Sequence, residues 1–146
     1  MNEHLGLWFL QLAATAILVG FIWVIQWVVY PGFSKVGSDH FKSYHAFYTR
    51  RVSLLVFLFM VTELAIAIWI FKRDPGLLWA QLNIASVFVV WIITAAWAGP
   101  LHTRLASGAP IEKIQPRLLV SNFLRSAVWT LRLAALVWVL ILANPV

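Results

Sequence analysis

Asn122, Arg125, Trp129 and Arg132 follow one another at steps of three, four and three residues, inside a stretch from Leu118 to Leu142 otherwise apolar enough to cross a bilayer. At about 100° per residue the four fall within a helical arc of roughly 80°, one polar stripe. A charged side chain near the bilayer centre costs at least ~2.5–3.5 kcal/mol on insertion scales, so it faces a partner or a wet cavity. The chemistry open to such a stripe is electrostatic. A guanidinium and an amide can hold a developing oxyanion, and an arginine can neutralise a buried carboxylate. His45 and His102 add what the stripe lacks: imidazoles that move protons near neutral pH or ligate a metal, in a chain without cysteine. Glu63 is the only acid within any apolar stretch.

The elements that must position these groups are membrane helices. The chain has 146 residues, 62% hydrophobic and 11% charged, with a mean hydropathy of +0.87, which excludes an ordinary soluble domain. Four apolar segments stand out, Leu5–Tyr30, Val52–Phe71, Leu77–Gly99 and Leu118–Leu142. Each meets the ~20 residues needed to cross a ~30 Å hydrocarbon layer. The expected architecture is all-α, a polytopic four-transmembrane-helix bundle. It forms one domain over 1–146, with spans near 5–30, 41–72, 77–99 and 117–143. Pro31-Gly32 is expected to end the first span, Lys72 to Gly76 to make a tight turn, and Gly99-Pro100 to close the third. Lys42 to Arg51 is polar and aromatic without a breaker, so the second helix is expected to start near Asp39 and project from the membrane. No repeat and no low-complexity tract is visible.

The loops place Lys35, Lys42, Arg50, Arg51, Arg104, Lys113 and Arg117 on one side and only Lys72 and Arg73 on the other. The positive-inside rule makes the first side cytoplasmic, with both termini on the non-cytoplasmic side of the cell (inner) membrane. The N-terminal Met-Asn-Glu-His lacks a cationic region, and the segment after it exceeds a signal-peptide core, so it is expected to be a retained span. A net charge of +6 without a basic run or nucleic-acid motif points to lipid headgroups, not nucleic acid. Nine tryptophans, several near span ends, suit interfacial belts and packing. Arg50-Arg51 reads as a headgroup anchor.

With this topology, residues distant in sequence converge at the cytoplasmic ends. Gln26 and Tyr30 end the first helix, and His40, Tyr44, His45 and Tyr48 line the start of the second. His102 follows the third, and Asn122 and Arg125 open the fourth. His45, Tyr48 and Glu63 share a face, but eighteen residues of helix separate His45 from Glu63, a rise of about 27 Å, so they cannot bind one ion. At its depth Glu63 finds its counter-ion in Arg132. That pair either fixes the second helix against the fourth or serves a proton or substrate role. His45 and His102 are either interfacial histidines bonded to carbonyls and headgroups, or ligands of a haem or transition metal. Two histidines without a nearby acid make a thin metal site, and Glu3, His4 and His40 are not placed beside them. No Gly-rich phosphate loop, HExxH or nucleophile elbow is present.

The stretch Gly99-Pro100-Leu101-His102-Thr103-Arg104-Leu105, followed after a polar loop by Asn122-Phe123-Leu124-Arg125-Ser126, resembles the anthrone oxygenase-like (DUF1772) membrane proteins. Those proteins show a Pro-Leu-(Asn/His)-x-x-Leu segment after the third span and Asn-x-x-Arg-(Thr/Ser) opening the fourth. Their first span typically ends in a proline, as at Tyr30-Pro31. The resemblance implies four membrane helices, a site around Pro100, His102, Asn122 and Arg125, and kinship with fungal proteins that assist oxidation of anthrones to anthraquinones. This chain departs from the pattern with His102 where Asn is common, and with Tyr44-His45 where an asparagine-containing segment is typical.

Three functions fit. The first is an oxygenase-like oxidoreductase acting on a lipophilic aromatic or quinone-like molecule at the cytoplasmic interface. His45, His102, Asn122 and Arg125 would carry the chemistry there, and Gln26, Tyr30, Tyr48, Trp97 and Trp129 would bind substrate. Any haem or metal would be held through His45 or His102. The second is a non-catalytic subunit or assembly factor of a larger membrane complex. The third is a small-anion transporter, which would require a homo-oligomer.

Overall fold

A computed structural model of the protein describes residues 5–143; Glu3 and His4 lie outside the described residues. Four helices make the fold: α1 (Leu5–Lys35), α2 (Ser38–Arg73), α3 (Leu78–Ala106) and α4 (Ile111–Ala143). All four are long and apolar enough to cross a membrane, and the protein is an integral, multi-pass, all-α four-helix bundle. Residues 36–37 and 107–110 connect the helices at one end of the bundle, the two-loop end, and residues 74–77 at the other. α1 packs on α2 and α4, and α3 on the same two. Large apolar side chains such as Leu54, Phe57, Leu131 and Trp138 point outward, as a lipid-facing surface requires.

Pro31 and Pro100 do not end their helices. A proline has no N–H, and its ring clashes with the carbonyl four residues earlier, so a regular helix breaks or kinks there. In each case a π-helical segment stands immediately upstream, Ile25–Val29 and Thr94–Ala98. Its wider turn lets the Tyr30 N–H bond the Ile25 carbonyl and the Gly99 N–H bond the Thr94 carbonyl, and helix continues past the proline. α1 therefore carries Phe33 through a short 3-10 turn, and α3 carries His102 on helix instead of in a loop. α2 starts at Ser38, one residue from the expected Asp39.

The two π segments are spaced by 69 positions (94 − 25), and so are Pro31 and Pro100. Buried residues of α2 and α4 keep the same spacing: His45 with Ile114, Met60 with Trp129, Glu63 with Arg132, Ala67 with Leu136 and Ile70 with Val139. The α1–α2 and α3–α4 pairs are built on one pattern. No repeat is visible in the sequence because the matched positions hold different residue types.

The core has two apolar clusters. One, around Ile22, Phe33, Tyr48, Leu101 and Leu118, fills the two-loop half. The other, around Trp8, Ile70, Ala80 and Leu136, fills the opposite half. On each helix a polar residue comes between them: Thr15, Glu63, Asn83 and Arg132.

Candidate functional site

That polar layer is a hydrogen-bonded network. Glu63 and Arg132 form an ion pair, both all but fully buried. Thr15 Oγ1 donates to Glu63 Oε1 at 2.7 Å and Trp129 Nε1 donates to Glu63 Oε2 at 3.0 Å. Arg132 Nε and Nη2 donate to Asn83 Oδ1 at 3.1 and 2.9 Å. One group from every helix thus meets a single charge pair, which sets the register of the bundle at that depth. Trp129, on the stripe with Arg125, is fully buried and belongs to this network, not to the cavity described next.

Nearer the two-loop end a cavity of about 210 Å³ lies between α2 and α3, with α1 and Arg125 behind it. Its polar wall is Tyr30, Tyr48, His102 and Arg125; Ile22, Ile25, Val52, Val56 and Met60 are among its apolar lining. Both π segments border it, through Ile25 on α1 and Thr94 and Ala98 on α3. The wider turns that absorb the two prolines also shape this space.

The cavity's proton-handling groups form a chain. Tyr30 Oη and His102 Nε2 are hydrogen-bonded at 2.8 Å, and His102 Nδ1 and His45 Nε2 at 3.1 Å. If the phenol donates to His102, His102 donates to His45, and the reverse set of tautomers runs the chain the other way. The two imidazoles stack with centroids 5.4 Å apart and planes 24° from parallel. Phe33, wholly buried, packs edge-on against His45 (5.8 Å) and Tyr48 (5.2 Å) and holds both rings. His45 is buried behind His102 and does not line the cavity.

Arg125 is 5% exposed and no carboxylate pairs with it among the described residues. Its Nη2 donates to Asn122 Oδ1 at 2.9 Å, and its Nε has no acceptor. Asn122 is itself fixed: its amide donates to Gln26 Oε1 at 2.8 Å and to the Ile22 carbonyl at 3.2 Å. Asn122 and Gln26 therefore aim the guanidinium instead of facing the cavity. Gln115 Nε2 donates to the Tyr30 carbonyl at 2.7 Å, which also accepts the Phe33 N–H, and so ties α4 to α1 beside the proline.

The structure brings together His45, His102, Tyr30, Tyr48, Arg125, Asn122 and Gln26. Trp97 sits on the second π segment, 37% exposed and away from the cavity lining, and His40 is exposed near the start of α2. Among the described residues no group of three or more His, Cys, Asp or Glu side chains converges as a metal-binding set, and the facing nitrogens of His45 and His102 bond each other. Sequence reasoning missed Phe33, Gln115, Thr15 and Asn83. Asn83 alone carried a usable signal, an amide inside an apolar span.

No protein-family model matches the chain, and neither a curated protein nor a solved structure matches it.

Proposed function

We propose that this integral membrane protein is an oxygenase-like oxidoreductase for a flat, lipophilic aromatic bearing a phenol or ring carbonyl. On the loop-charge bias, its cavity lies at the cytoplasmic interface. The observation that carries the reading is the union, on one cavity wall, of an uncompensated buried arginine with Tyr30 and His102, which a hydrogen bond links to His45 behind them. Apolar walls take the ring, and Arg125 faces its oxygen, where negative charge develops once a proton leaves. His102 is the base for a proton of an activated ring CH2: the Tyr30 phenol gives its own proton to His102 Nε2 as it takes the substrate's, and His102 passes its Nδ1 proton to His45. The resulting enolate donates its electrons to dioxygen and one C–O bond forms. The peroxide anion takes a proton to become the hydroperoxide, which loses water as the carbon becomes a carbonyl, so substrate and dioxygen yield ketone and water. The likeness of the Gly99–Leu105 and Asn122–Ser126 segments to the anthrone oxygenase-like proteins supports the same assignment.

The test is oxygen uptake by purified protein across a panel of anthrones and hydroquinones, with isotopically labelled dioxygen and mass analysis of products. Uptake with label in the new carbonyl, abolished in His102→Gln, is the expected result. No uptake and no altered compound across the panel overturns the reading. A stoichiometric partner retained in mild detergent, without turnover, would instead assign the chain to a larger complex.

A further inference from the structure

Glu63 and Val56 stand two turns apart on α2, as Arg132 and Arg125 do on α4, and both helices start at the two-loop end and run in the same direction. The 69-residue spacing between the two halves pairs the same positions, Glu63 with Arg132 and Val56 with Arg125. At the deep level the chain supplies a carboxylate, and an ion pair forms. At the shallow level it supplies hydrocarbon, and Val56 and Arg125 line the 210 Å³ cavity together. No other acid reaches that level among the described residues. Glu63 is committed to Arg132, and Asp74 lies in the turn at the opposite end. Asp39 and Glu112 open their helices about 25 and 20 Å along the axis from Val56 and Arg125. A guanidinium does not shed its charge by deprotonation, so Arg125 keeps a full positive charge at the cavity wall.

We propose that this cavity takes its ligand as a lipophilic monoanion, an ionised phenol or enol whose charge is spread over a fused aromatic ring. The proposal rests on the reading of the Arg125 cavity as the substrate site, and adds the ligand's charge: the ligand brings the anion that α2 supplies one level deeper. A halide or nitrate fits less well. It fills little of the space, and walls such as Ile22, Ile25, Val52 and Met60 offer a strongly hydrated ion nothing in exchange for its water. A carboxylate concentrates its charge on two oxygens and pairs best with two parallel N–H groups, and Arg125 Nη2 is already committed to Asn122. A phenolate or enolate presents one oxygen with diffuse charge and lays its ring on hydrocarbon. In the proposed reaction the enolate, not the ketone, is then the form that accumulates in the cavity before dioxygen arrives.

The probe is 4-nitro-1-naphthol, whose ionised form absorbs visible light, titrated with pH against an excess of the full chain in phosphatidylcholine nanodiscs. A cation within about 4–6 Å favours an ionised oxygen by about 10- to 1,000-fold. The midpoint of ionisation is therefore expected to fall by about one pH unit or more below its value in empty nanodiscs. Arg125→Gln is expected to remove that shift. Val56→Glu rebuilds the deep pair at this level and is expected to abolish it too, whereas Val56→Gln, of the same shape without the charge, is expected to keep it. Displacing the probe with its methyl ether or with 1-naphthoate is expected to take about tenfold more compound than with 2,4-dinitro-1-naphtholate. An unshifted midpoint, an equal shift in Arg125→Gln, or competition by the ether, 1-naphthoate or nitrate equal to that by the naphtholate overturns the proposal. Binding is read without turnover, so the two readings fail separately. A shift without oxygen uptake across the panel supports the anion site and refutes the reaction, and uptake without a shift overturns the anion site alone.

Discussion

Arg125 and Arg132 stand two helical turns apart on one face of α4 and are buried to almost the same degree, yet their surroundings are opposite. Arg132 meets a carboxylate and an amide, and all four helices contribute to the network that holds the pair. Arg125 meets an amide, two tyrosines and a cavity, and no anion among the described residues. Burial by itself therefore does not mark a functional charge. A neutralised pair at depth specifies how helices register, whereas an uncompensated cation beside a cavity retains attraction for a ligand oxygen.

The largest effect that would break this contrast lies in the deep layer. Glu63→Gln or Arg132→Gln alone strands a buried charge and is expected to cost about 3–5 kcal/mol in detergent unfolding. The double variant is expected to recover a large part of that loss, and simple additivity of the two would contradict a coupled pair. For the proposed reaction, His102→Gln is expected to lower turnover about 10²-fold or more with the melting temperature nearly kept, as loss of a proton-transfer group does. His45→Gln is expected to act more weakly, since His45 reaches the cavity only through His102; equal losses would put both histidines at the reacting atoms. Asn122→Ala removes the acceptor that aims Arg125 and orphans Gln26, and should cost about 1–3 kcal/mol. Turnover is expected to fall with it. The smallest effect sharpens the fold side: Pro31→Ala and Pro100→Ala lift the demand for π turns and are expected to change stability by no more than about 1 kcal/mol. They should nonetheless reshape the cavity, which substrate affinity would register.

Much of the fold was legible because a bilayer leaves few solutions: long apolar stretches with sparse charge become helices, and short polar breaks become turns. The Glu63–Arg132 contact follows from depth alone, as the one in-span acid and the deeper in-span arginine have no other charge to meet. The helix ends near Pro31 and Pro100 were not legible. Pro-Gly and Gly-Pro are ordinary stop signals, and nothing in the residue pattern announces a π turn that absorbs a proline. Phe33 was lost for that reason, since a residue beyond a presumed helix end is not counted in the core. Trp129 shows a second limit. Its spacing places it on the correct face, but one turn of depth decides between cavity and polar layer, and periodicity does not report depth. Thr15 looks like any helical threonine until Glu63 arrives opposite it. The repeat is carried by burial and by two helix distortions, not by residue identity.

The most direct test of the central contrast is to measure Arg125→Gln and Arg132→Gln side by side for thermal unfolding and for oxygen uptake with the best substrate of the panel. Arg125→Gln is expected to keep or raise the melting temperature, because an uncompensated buried charge is removed, while turnover is lost. Arg132→Gln is expected to lower the melting temperature sharply, with activity falling only as far as folded protein is lost. Equal destabilisation by the two, or full turnover in Arg125→Gln, would contradict the division of the stripe into a structural half and a reactive half.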